Sequence, residues 1–176
     1  MKIDEVFGLP AHPLFVHIPI VLIPLAALGT LIMAVVPRTR ARLGWPTVAV
    51  SGAAVFFAWM AKGSGAKLAL RVDPDPKLTH HINMGNTMYL VALVFFVLVT
   101  AFVVVDSRAR ARAGSEAAGP GGDQTRRTAH GPVLAVLAVL AVVSGAAATA
   151  RIIQVGHAGS RVTWGDVGAP RPAKKK

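Results

Sequence analysis

Four long apolar runs, separated by basic or glycine- and proline-rich stretches, dominate the hydrophobic pattern of the chain. They cover about residues 14–36, 45–62, 82–105 and 132–153. A transmembrane helix needs about 20 mostly apolar residues to cross a hydrocarbon core of roughly 30 Å, and its backbone must satisfy its own hydrogen bonds. None of the runs alternates apolar with polar positions, as the strands of a membrane barrel do. The pattern therefore predicts an all-α membrane protein, a four-transmembrane-helix bundle.

The segments around these runs predict a single transmembrane domain over residues 1–166, followed by a disordered basic tail at 167–176. Glycines and alternating aspartate and proline predict an ordered turn in the second loop, at 62–79. Clustered glycines predict a flexible linker in the third loop, at 107–127. The first run is too long for the core of a signal peptide, so we expect it to remain as a helix.

Composition narrows the chemistry that this bundle can carry. The chain has no cysteine, which excludes disulfides, thiolate metal sites, iron–sulfur ligation and covalent c-type haem attachment. Any metal must therefore be held by histidine, methionine or oxygen. The net charge of +11 comes largely from loops beside apolar runs, where it sets topology and attracts anionic lipid. Membrane lipid is thus an expected partner and nucleic acid is not.

Arginines next to the apolar runs predict the orientation of the chain. Three of them lie in the first loop and five in the third. Positive charge in short loops favours the cytoplasmic side, which places both termini and the second loop outside. We expect an integral protein of a bacterial cell membrane.

Five of the six histidines fall at one end of the predicted bundle, because the chain reverses direction at each crossing. Imidazole is a common ligand for metals, and five such groups at one lipid interface indicate a bound cofactor. The expected site is on the outer side. The five residues are His12 and His17 before and within the first run, His80 and His81 before the third, and His157 after the fourth.

His17 and His81 form the best-placed pair of axial ligands for a b-type haem, since they come from the first and third helices. His12 and His17 are five residues apart, so they point to different faces of a helix. His12 and His157 are interpreted as the ligands of a second haem or as supporting groups. His80 competes with its neighbour His81 for the ligand position.

Three further positions belong to this hypothesis. Gly85 lies one turn below His81 on the same face and leaves a flat slot suited to a porphyrin. Met84 and Met88 can pack on the ring or supply sulfur. Arg151, about one turn inside the end of the fourth helix, is expected either to pair with a haem propionate or to reach lipid headgroups.

The expected function is electron transfer, because a bis-histidine iron has no open position for a substrate. The expected partner is a separate redox protein or quinone. Two alternatives remain open: a histidine and methionine site for copper or zinc handling, and a non-catalytic accessory subunit of a larger respiratory membrane complex or homo-oligomer. No catalytic constellation is present in the sequence, so a stand-alone enzyme is the less expected class.

Three motifs resemble the signature of the four-helix membrane family called domain of unknown function 2231. They are His-Pro-x-x-Val-His-x-Pro at 12–19, His81 with Gly85, and Gly-His-x-Gly at 156–159. The resemblance runs from about Leu9 to Trp164. Relatives in that family are joined to Rieske-type or cytochrome c domains, which implies respiratory or redox membrane chemistry. No such domain is attached here, so the resemblance implies a redox partner on a separate chain.

Overall fold

The backbone of the computed structural model is described for residues 5–6, 9–71, 76–117 and 124–164, with side chains for 12–71, 76–115 and 131–164. Four long helices make up almost all of it. They are α1 (Ala11–Val35), α2 (Arg40–Ala69), α3 (Pro76–Ala117) and α4 (Gln124–Trp164). A single turn of 3₁₀ helix, Pro37–Thr39, joins α1 to α2. Before α1, the two-residue strands β1 (Glu5–Val6) and β2 (Leu9–Pro10) pair antiparallel.

Each of the four helices contains a segment long and apolar enough to cross a membrane. The segments are His12–Val35, Pro37–Ala69, Pro76–Ser115 and Gly131–Trp164. The predicted fold class, an all-α bundle of four transmembrane helices, is therefore confirmed. Consecutive helices run in opposite directions, so the start of α1, the end of α2, the start of α3 and the end of α4 share one end of the bundle.

The helices form a closed ring around a shared core. α1 contacts α2 and α4, and α3 contacts the same two helices. The core is built from alanines facing larger apolar side chains, such as Phe95 and Phe102 of α3. Gly145 of α4 marks a close approach between helices: a Cβ there would lie 2.9 Å from the Phe95 ring and 3.2 Å from Ala27. Small residues thus allow α4 to pack closely on α1 and α3.

Large apolar side chains also cover the outside of the bundle. On α1 these include Val21, Leu25 and Leu28, each more than half exposed. A helix that is apolar all round suits lipid rather than water. Exposed tryptophans mark both ends: Trp45 lies near the start of α2, and Trp164 ends α4. Tryptophan favours the membrane interface, so these two positions bracket the hydrocarbon-spanning part of the bundle.

An ion-pair cluster joins three segments at the end opposite the histidines. Asp106 of α3 is only 5% exposed. It accepts hydrogen bonds from Arg110 Nε at 2.8 Å and from Arg40 Nη1 at 3.5 Å. Arg40 Nε also donates to the Met33 carbonyl at 2.8 Å, and its guanidinium lies 5.3 Å from the centroid of the Phe102 ring. The cluster ties the end of α1 and the start of α2 to α3.

The helices extend beyond the predicted runs, which corrects two expectations. α2 continues through Gly63 and Gly65 to Ala69, where we predicted the turn of the second loop. α3 continues to Ala117, into the predicted flexible linker. Both extensions are rich in alanine, lysine and arginine, which are good helix formers, and this propensity outweighs the glycines. The predicted tail at 167–176 lies outside the described residues.

Candidate functional site

A cavity of about 960 Å³ lies at the histidine end of the bundle, between all four helices. We call it the histidine cavity. Its lining is mostly apolar and includes a few polar side chains. Small-molecule sites commonly have a lining of this kind. The lining includes His12, His17, Trp59, Lys62, His81, Gly85, Met88, Gly159 and Trp164.

His12 is anchored to α2 by its ring. Nδ1 lies 2.8 Å from the Ala61 carbonyl oxygen, a contact in which the ring nitrogen must be the donor because the carbonyl can only accept. That bond places a proton on Nδ1. Gly65, one turn along α2 from Ala61, makes room for the ring, since a Cβ there would lie 2.8 Å from His12 Cε1.

His81 of α3 meets His12 across the bundle. The two imidazoles are in edge-to-face contact, with ring centroids 6.3 Å apart and ring planes at 79°. Gly159 of α4 lies against the other side of His81, where a Cβ would come within 3.0 Å of its Cε1 atom. The Val155 carbonyl is near this ring, yet the buried Nδ1 atom of His81 has no partner in hydrogen-bonding geometry.

His17 also lines the histidine cavity, but its ring is more exposed. Its Nδ1 donates to the Pro13 carbonyl, one turn earlier on α1. The imidazole in contact with His81 is that of His12. The pairing of His17 with His81 therefore stays a prediction, and His12 is the imidazole that the fold brings next to His81.

The other two histidines of the cluster face a separate surface. His80 and His157 line a groove of about 720 Å³ between α3 and α4, which we call the α3–α4 groove. His80 and His81 are adjacent, so a helix directs them about 100° apart, and only His81 reaches the histidine cavity. The side chains that define the α3–α4 groove are Lys77, His80, Met84, Gln154, His157 and Arg161.

The remaining predicted site residues divide between the same two places. Gly85 lines the histidine cavity, and a Cβ there would meet nothing within 4 Å, so this position faces open space. Met88 is buried and lines the cavity, whereas Met84 lies in the α3–α4 groove. Arg151 is absent from the cavity lining; its Nη1 donates to Gln154 Oε1 at 3.3 Å, on the side of the groove.

Within the described part of the chain, no three histidine or acidic side chains converge as they would around a metal ion. The histidine cavity instead offers a facing pair of imidazoles. Two groups that position this pair, the Ala61 carbonyl and Gly65, were not found from the sequence. The His12 contact joins residues far apart in the chain, and no local pattern signals it.

A comparison with known proteins agrees with this architecture. The family model described as "Predicted membrane protein (DUF2231)" matches residues 8–169, which is most of the chain. Searches of curated proteins and of solved structures gave no significant match. The matched region contains all four spanning segments and both the cavity and the groove. The chain therefore belongs to the DUF2231 family of predicted membrane proteins.

Proposed function

We propose that this membrane protein binds a b-type haem in the histidine cavity and serves in electron transfer. The observation that carries the proposal is the neighbouring pair of imidazoles, His12 and His81, in the lining of a large and mostly apolar cavity. His17, in the same cavity, is the ligand or supporting group that the sequence favours.

The closeness of the two rings supports ligation of one metal ion by both. Their centroids are 6.3 Å apart, and the rings come from α1 and α3. His12 and His81 would then be the residues that hold the haem iron.

The hydrogen bonding of the rings supports the same use. His12 Nδ1 donates to the Ala61 carbonyl, and a hydrogen bond of this kind commonly orients a ligating histidine. His81 Nδ1 is buried without a hydrogen-bond partner. A buried polar atom of this kind costs about 1–3 kcal/mol, a cost that a bound group can relieve.

The surroundings suit a flat apolar group with a polar edge. The cavity volume of about 960 Å³ lies within the range of pockets for small molecules and cofactors. Gly85 faces open space, and Lys62 stands in the lining with Nζ 5.7 Å from the Tyr89 ring centroid. A haem with two histidine ligands supplies one-electron chemistry without an open position for substrate. The chain's own contribution would be to hold the two rings.

A second candidate is a copper site for metal handling. Met88 is buried in the same cavity as His12 and His81, and imidazole with thioether favours copper. This candidate shares the histidines but needs no porphyrin. It therefore predicts metal without the visible spectrum of haem.

The test is a reduced-minus-oxidised visible spectrum of the full chain purified in detergent from haem-replete cells, with a pyridine haemochrome assay and elemental analysis. We expect b-type α and β bands that are lost in His81→Ala and retained in His157→Ala, the matched control outside the cavity. Bound copper in a protein without a Soret band would support the copper site in place of the haem site. Colourless, metal-free protein would rule out both and leave an accessory subunit.

A further inference from the structure

We propose that the α3–α4 groove binds the headgroup of an anionic phospholipid. This groove is separate from the histidine cavity, so the proposal is independent of haem or copper binding. It rests on three observations: the charge of the groove, the buried Nε of a neighbouring arginine that has no hydrogen-bond partner, and the apolar surface that continues from the groove.

The groove is lined by basic and neutral side chains. Lys77 and Arg161 are cationic, His80 and His157 become cationic on protonation, and Gln154 is a neutral donor and acceptor. None of the side chains that line it among the described residues is acidic. A phosphate diester is the complement of such a surface, because guanidinium and ammonium groups form charge-assisted hydrogen bonds with its oxygens.

The hydrogen bonding of Arg151, one turn before Gln154 on α4, is the second observation. It is half-buried, its Nη1 is bonded to Gln154 of the groove at 3.3 Å, and its buried Nε has no hydrogen-bond partner. A cation inside a spanning helix is costly unless an anion or polar group pairs with it. The phosphate of a lipid bound in the groove would supply that partner. This agrees with one of the two roles that the sequence suggested for Arg151, contact with lipid headgroups.

The surface that continues from the groove favours a lipid over a soluble phosphate. His157 shares a face of α4 with Ile153, Val143 and Val139, which are 65%, 60% and 61% exposed. This apolar stripe runs away from the groove toward the middle of the bundle. A headgroup in the groove would thus place its acyl chains along the stripe. A soluble anion would gain nothing from it.

The proposal is tested by native mass spectrometry of the full chain from detergent that contains equal amounts of phosphatidylglycerol and phosphatidylcholine. We expect retained phosphatidylglycerol in preference to phosphatidylcholine. Replacing both Arg151→Gln and Arg161→Gln should lower that preference by about fivefold for each arginine. The matched control, Arg38→Gln with Arg108→Gln, removes the same charge at the opposite end of the bundle. It should leave the preference for phosphatidylglycerol unchanged. Arg151→Lys with Arg161→Lys should retain it.

An equal loss in the control pair would mean general attraction to basic surface and would overturn the site. Retention of the preference in the glutamine pair would overturn it as well. Displacement of the lipid by millimolar inorganic phosphate would assign the groove to soluble anions instead. Circular dichroism shows whether the double glutamine variant folds. If it does not, the unaltered protein is labelled with a photoactivatable phosphatidylglycerol. Label on the peptide of residues 152–161 would support the proposal, and label elsewhere would contradict it.

Discussion

The imidazole of His12 meets that of His81 edge to face, with ring centroids 6.3 Å apart. Each ring is seated against a glycine of a different helix, Gly65 of α2 for His12 and Gly159 of α4 for His81. All four helices therefore contribute to one pair of side chains. Any shift of one helix along its axis would separate the rings or close the space beside them.

Separate alanine substitutions of His12 and His17 discriminate the two possible partners of His81. We expect His12→Ala to abolish the haem spectrum, because it removes the ring in contact with His81. His17→Ala should retain most of it, since that ring is more exposed and is bonded to its own helix. The measurement is the reduced-minus-oxidised amplitude per protein. The reverse result would favour the pairing predicted from the sequence.

Gly65→Ala should destabilise the protein, whereas Gly63→Ala should not. A Cβ at Gly65 would collide with the His12 ring at 2.8 Å, and the bond to Ala61 keeps that ring from moving away. Overpacking of this kind costs about 1–3 kcal/mol. At Gly63 nothing lies within 4 Å, so alanine should gain up to about 1 kcal/mol of helix propensity. Thermal unfolding in detergent measures both, and equal midpoints would contradict the contact.

Gly145→Ala probes the close approach of α4 to its neighbours. The added methyl would lie 2.9 Å from the ring of Phe95, a side chain that is almost fully buried. We expect a loss of about 1–3 kcal/mol in the free energy of unfolding. Gly131→Ala is the matched control on the same helix, because its Cβ would meet nothing within 4 Å. Titration with SDS gives both values, and similar losses would argue against this packing.

Asp106→Asn should be among the more damaging single substitutions at the opposite end of the bundle. It leaves Arg40, which is largely buried, without its carboxylate. Breaking a buried ion pair by removing one partner costs on the order of 3 kcal/mol. Arg110→Gln should cost less than about 1 kcal/mol, because that arginine is well exposed and its pair lies within one helix. Equal effects of the two substitutions on unfolding in SDS would show that the Arg40 contact contributes little.

The predicted bundle and its four spans came from the apolar runs, but the helix ends did not. The runs mark where lipid requires apolar residues, and a helix need not end where lipid ends. α2 therefore continues through glycines that we assigned to a turn, one of which faces His12. The lysine- and arginine-containing ends are helical because alanine-rich sequence favours helix outside the membrane too.

The sequence by itself determined the four spanning helices, because long apolar runs without alternation can cross lipid only as helices. It also placed five histidines at one end, because the chain alternates direction. Only the tertiary structure decided how those histidines are divided. His12, His17 and His81 face the cavity, while His80 and His157 face the α3–α4 groove. That division depends on the rotation of each helix about its axis. Rotation is set by contacts between distant residues, such as Gly145 on Phe95 and Gly65 on His12, and no local pattern encodes it.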